Sequence, residues 1–142
     1  MKNLFLVLSS LLFVLTLTAC GASAPATPAN SASGDALFQI VKPDGTTFNV
    51  TLDMVKKLPL AQLTAEGKVE EGPYLLDVLT LAGITEFTEV TLMGSSNPAT
   101  LTFEQVNENT ILDFNNHGTM KLSTTYIPKA NWTKDVAVIT VK

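Results

Sequence analysis

The chain has no arginine, one cysteine and one histidine. Each scarcity removes a class of chemistry. Without Arg there is no planar guanidinium fork to grip a phosphate or carboxylate through two parallel bonds. One Cys cannot close an intrachain disulfide, and one His without a second His or a Cys cannot build the usual zinc site. Charged residues make up only 15% of the 142 residues, and the 13 acids outnumber the 9 lysines for a net charge of −4. Nucleic acid is therefore not an expected partner, because phosphate contacts need cationic density.

What is present begins with one apolar run, Leu4 to Leu17, behind the positive charge of Lys2. It is shorter than the roughly 20 residues that span a bilayer. Thr18 and Ala19 follow, small residues that suit a signal peptidase, and then the sole Cys, Cys20. The segment resembles the signal peptide and lipobox of a bacterial lipoprotein. That resemblance implies cleavage before Cys20, lipidation of its sulfur, and a place in the cell envelope, anchored through lipid on the extracytoplasmic side of the membrane. The other readings are an ordinary secretory signal with an unrelated Cys, or an uncleaved anchor. A lipidated Cys20 leaves no thiol for a disulfide even in an oxidising compartment.

Gly21 to Gly34 reads GASAPATPANSASG, with no charge and no large apolar side chain. Such a stretch cannot bury enough surface to offset its ordering entropy. The expected organisation is a signal peptide at 1–19, a lipidated Cys and flexible linker at 20–34, and one globular domain at 35–142, long enough for a core without disulfides.

Within that domain, Ala36 to Lys42 and Thr46 to Leu52 flank the turn residues Pro43-Asp44-Gly45 and predict a β-hairpin. Thr51 or Asp53 can cap a short helix, Met54 to Leu58, that Pro59 stops. Leu60 to Thr64 reads as extended, and Gly67 to Gly72 as a charged loop. Pro73 opens the best helical pattern, with Tyr74, Leu75, Val78, Leu79 and Ala82 in register and Gly83 at its end. Five strands are expected after it: Glu89 to Met93, Thr100 to Phe103, Thr110 to Phe114, Met120 to Tyr126 and Asp135 to Val141. Phe103 to Val106 suits one helical turn. The fold class is α+β, a β-rich mixed sheet with one main helix in a single domain.

The order of pieces carries a second resemblance. The short helix ending in Leu58-Pro59, the segment Gly72-Pro73-Tyr74-Leu75-Leu76-Asp77-Val78-Leu79-Thr80-Leu81-Ala82-Gly83, the strand and turn Glu89 to Ser95, and the closing Tyr126 to Val141 with its Pro, Lys and Trp are similar to the sulfite-oxidase-like, oxidoreductase molybdopterin-binding domain. The resemblance implies that fold. Its molybdenum enzymes ligate the metal with a Cys thiolate between the Leu-Pro helix and the Gly-x-x-Leu segment. Here that interval, Leu60 to Glu71, contains no Cys, and no Arg exists to hold the cofactor's phosphate. The expectation is a reduced relative without cofactor or metal; molybdopterin binding is the alternative that the resemblance leaves open.

Three groups of residues invite a functional reading. His117, in Asn115-Asn116-His117-Gly118, is either a hairpin turn residue or a general base or single metal ligand; a triad of Ser95, His117 and Asp113 lacks the nucleophile-elbow pattern. Glu70 and Glu71 read as a solvated charge run. Tyr126, Lys129 and Trp132 form the most ligand-like cluster, an aromatic platform beside a cation that suits a small anion or a planar group, or else a Trp that plugs the core edge. No catalytic set is complete. The expected function is a lipid-anchored extracytoplasmic module that binds a partner protein or a small ligand. A divergent molybdopterin redox protein and a structural envelope subunit are the alternatives.

Overall fold

The computed structural model describes residues 35–142. The expected signal segment, Cys20 and the linker lie outside the described residues.

The chain opens as the expected hairpin, β1 (Ala36–Val41) antiparallel to β2 (Thr47–Thr51). Its turn is set by Asp44, whose carboxylate accepts from the Thr46 amide at 2.8 Å and hydroxyl at 2.7 Å, the Asx geometry that makes Asp a turn residue. Alternation puts Phe38, Ile40 and Val50 inside. The last strand, β9 (Val138–Val141), runs parallel to β1 on one side and antiparallel to β5 (Glu89–Met93) on the other. With β6 (Ala99–Thr102) beyond β5, a five-stranded mixed sheet has the order β2-β1-β9-β5-β6.

Helix is sparse. The expected Met54–Leu58 helix is instead a single turn earlier in the chain, α1 (Leu52–Val55), capped by Thr51, whose hydroxyl accepts from the Met54 amide. The main helix is α2 (Leu75–Leu81), which begins after Tyr74 rather than at Pro73. The Pro73 carbonyl is already taken by the Leu112 amide at 2.9 Å, and Tyr74 bridges Ile111. Leu75, Val78 and Leu79 are buried against the sheet with Ile40, Val90, Leu92, Leu101 and Ile139. The Phe103 turn is present as a 3-10 turn over Phe103–Gln105.

Two further hairpins stand beside the main sheet. One, β7 (Thr110–Phe114) with β8 (Met120–Thr124), is close to expectation, with β8 two residues shorter. The other corrects the sequence reading: Lys68 to Gly72 is a strand, β4 (Lys68–Gly72), antiparallel to β3 (Ala61–Ala65). Gly72 seats it. A Cβ there would lie 1.9 Å from the Leu112 carbonyl oxygen, so only glycine lets β4 lie so close to β7. The β7–β8 ribbon thus has two working faces. Leu112, Met120 and Leu122 belong to the main core. Ile111, Asp113, Lys121 and Ser123 alternate onto the other face. Leu63, Ala65, Ile111 and Trp132 are buried outside the main cluster.

Candidate functional site

The second face of the β7–β8 ribbon is built around a charged network. Asp113 and Lys121 are directly opposite in register, each four residues from His117. Lys121 Nζ lies 2.8 Å from Asp113 Oδ2 and 3.2 Å from Glu70 Oε2. The other Glu70 oxygen accepts from Lys129 Nζ at 2.6 Å. Both ammonium groups also sit over the Trp132 ring, Lys129 at 5.0 Å and Lys121 at 5.6 Å from its centroid, within the range of cation–π attraction. Trp132 is only 2% exposed, and its Nε1 donates to the Thr124 carbonyl at 3.0 Å and the Ile127 carbonyl at 3.3 Å.

The network divides its two acids. Burial raises the Glu70 carboxyl, but hydrogen bonds from Lys129, Asp113 and Lys121 outweigh it and hold the group at about 2. Burial pushes Asp113 up, Lys121 opposes this, and neighbouring Glu70 adds to the rise. Burial also works against the Lys121 ammonium, yet bonds to Asp113 and Glu70 keep it above its ordinary range.

Beside this network lies a cavity of about 440 Å³. Thr64, Ala65 and Glu66 at the tip of the β3–β4 hairpin form one wall. The segment from Thr124 to Pro128, with Trp132, forms the other. Glu66 takes a left-handed backbone, φ 49°, at the hairpin turn, and its Oε1 accepts from the Lys129 amide at 3.3 Å.

The residues singled out in the sequence divide between this site and others. Tyr126 and Trp132 line the cavity, and Lys129 borders it in the 3-10 turn Lys129–Asn131. The open platform is not there: Trp132 is covered, Lys129 is engaged by Glu70, and the Tyr126 hydroxyl accepts from Asn107 Nδ2 at 2.6 Å. A free cation for a small anion is thus replaced by a neutralised pair. His117 is exposed at the opposite end of β8, in the β7–β8 turn, where its amide donates to Asn115 Oδ1 at 2.9 Å. The imagined triad does not assemble, because Asp113 binds Lys121 and the Ser95 hydroxyl donates to Asp135. Asp135 also accepts from Asn115 and Thr119, and bonds from Ser95, Thr119 and Asn115 hold its carboxyl below the usual range.

Glu70 is the main residue missed. Read as solvated, its side chain is 13% exposed and joins two lysines; Glu71 remains exposed. The pairing of Asp113 with Lys121 was detectable as equal spacing about the His117 turn. Nothing local marked Glu70 as the partner of Lys129, 59 residues away.

The described residues do not fit a molybdenum centre. Among them the cavity wall carries no thiol and no imidazole. Among the described residues no group of three or more His, Cys, Asp or Glu could hold a metal ion. The cations nearest the cavity are already paired with carboxylates, which leaves neither of them free for a cofactor phosphate.

Fold and site together define a small β-rich domain with a mixed sheet, few helices and a polar cavity beside a buried Trp. Among solved structures it is similar to the sulfane dehydrogenase SoxCD from Paracoccus pantotrophus, with a TM-score of 0.55 and 16% identity over 73% of this chain. The match spans 37% of that chain, and at that identity the likeness is one of fold. No family model and no curated protein matches.

Proposed function

We propose that this chain is a lipid-anchored extracytoplasmic binding module on a sulfite-oxidase-like fold, and that it takes a small ligand between the β3–β4 tip and the Thr124–Pro128 segment. The observation that carries the reading is the cavity. Its volume of about 440 Å³ falls within the roughly 300–1,000 Å³ of small-molecule sites. Its walls combine the exposed Thr64 and Thr125 with the partly exposed Tyr126, over a floor that includes the buried Trp132. Such a mixture of hydroxyls and aromatic surface suits the orientation of a small ligand.

Native mass spectrometry of the full chain purified from its host tests this. One small molecule per chain is expected, lost when Thr125→Trp blocks the cavity. A ligand retained in that variant, or turnover of an oxyanion by the purified protein, overturns the reading.

The likeness to a sulfane dehydrogenase favours a second reading, a divergent molybdopterin redox protein. It requires stoichiometric molybdenum or pterin in the same preparation, and their absence by elemental analysis and pterin fluorescence ends it.

A further inference from the structure

The charge around the cavity is distributed unlike that of a site for oxyanions. Among the described residues Glu66 is the only charged side chain in its wall. It takes part in none of the ion pairs among the described residues. One of its oxygens accepts a single long bond from the Lys129 amide, which leaves most of the carboxylate's acceptor capacity free. The two lysines nearby are balanced by Glu70 and Asp113 at 2.6–3.2 Å. An anion entering the cavity meets an unpaired carboxylate and no free cation. A cation meets the reverse.

The aromatic surface points the same way. Trp132 already holds two ammonium groups over its ring. Tyr126, also in the wall, is 39% exposed, so its ring remains open to solvent and to a ligand. A carboxylate beside an accessible aromatic ring is the pairing that recognises organic ammonium groups, by Coulomb attraction on one side and the ring quadrupole on the other.

We propose that the cavity selects a small organic cation, a primary or quaternary ammonium compound, with Glu66 as its counter-ion and Tyr126 as its aromatic wall. This rests on the reading of the cavity as a ligand site and names the ligand class.

Trp132 is the only Trp in the chain, so its indole N–H gives one resolved signal in a nitrogen–proton NMR spectrum. The full chain, in detergent, is titrated at constant ionic strength with choline, ethanolamine, sulfite, phosphate and glucose. Choline and ethanolamine are expected to shift the Trp132 signal saturably, and the two anions to leave it in place. Glu66→Gln is expected to weaken the cations about tenfold, the effect of losing one charge-assisted contact. Tyr126→Leu is expected to weaken choline more than ethanolamine. Glu86→Gln, which changes net charge equally at an exposed site outside the cavity wall, should change nothing. Saturable binding of sulfite, phosphate or glucose without the cations overturns this inference and leaves the ligand site standing. Cation affinity unchanged in Glu66→Gln also overturns it. A Trp132 signal that no probe moves overturns this inference too, and the ligand site then stands or falls by the mass spectrometry of the native chain.

Discussion

Lys129 and Glu70 meet at 2.6 Å, joining the last loop of the domain to a strand 59 residues earlier. Glu70 also holds Lys121, so one carboxylate fastens the β3–β4 hairpin to both β8 and the Lys129 turn. Both lysines sit over Trp132. Glu70→Ala would leave two ammonium groups on a covered Trp with Asp113 as the one remaining carboxylate. Leaving largely buried groups without their partner costs about 1–3 kcal/mol. Urea unfolding should show a lower midpoint with unchanged slope. A loss below about 0.5 kcal/mol, the scale of surface pairs, would mean that the network is solvated.

The same residue predicts an acid transition. Folding lowers the Glu70 carboxyl from an ordinary 4.5 to about 2, so the fold favours its ionised form. The stability this supplies is complete above about pH 4.5 and is lost as pH falls towards about 2. Asp113 acts oppositely: folding raises its carboxyl, so its contribution is present at low pH and lost as pH rises through the folded value. The stability of the native chain should therefore decline between pH 4.5 and 2, and Glu70→Gln should flatten that decline. An identical slope in the variant would assign the acid sensitivity to other groups.

How far the sequence disclosed this arrangement depends on how local each cause was. The first hairpin was legible because Pro43-Asp44-Gly45 encodes its own turn, and the β7–β8 hairpin because Asn115 to Gly118 does the same. β4 was not, because Lys68-Val69-Glu70-Glu71 shows no alternation of apolar and polar residues. It is a strand by pairing with β3 across the Glu66–Gly67 turn, and it is seated by contacts distant in sequence: Gly72 against the Leu112 carbonyl, and Glu70 with Lys121. Tyr126, Lys129 and Trp132 were recognisable as neighbours because they share one short loop. The cavity was not, because its second wall is the hairpin tip Thr64–Glu66.

Gly72 gives a sharper test of that long-range packing. The nearest atoms to an added Cβ are backbone, the Leu112 oxygen at 1.9 Å and carbon at 2.6 Å, and no side-chain rotamer can relieve them. Gly72→Ala should force β4 from β7, at a cost of about 3 kcal/mol, the upper end for overpacking because the clash is with backbone. The melting temperature should fall by well over 10 °C, since about 1 kcal/mol shifts a domain of this size by roughly 4–8 °C. A melting temperature within 3 °C of the native chain would show that β4 and β7 are less closely apposed.

The proposed attachment depends on a residue outside the described part of the chain. If Cys20 carries lipid, membrane binding comes from acyl chains, each buried methylene contributing about 0.8 kcal/mol. The domain carries more acids than lysines, so its net charge does not draw it to an anionic membrane surface. Among the described residues no helix is long and apolar enough to cross a membrane. Cys20→Ala should therefore abolish incorporation of labelled palmitate in the host and shift the protein from the membrane to the soluble or signal-retained fraction. High salt should leave the native chain on the membrane, because acyl anchoring is not screened as ion pairs are. A Cys20→Ala chain that fractionates with membranes after cleavage at the same site would place the anchor elsewhere.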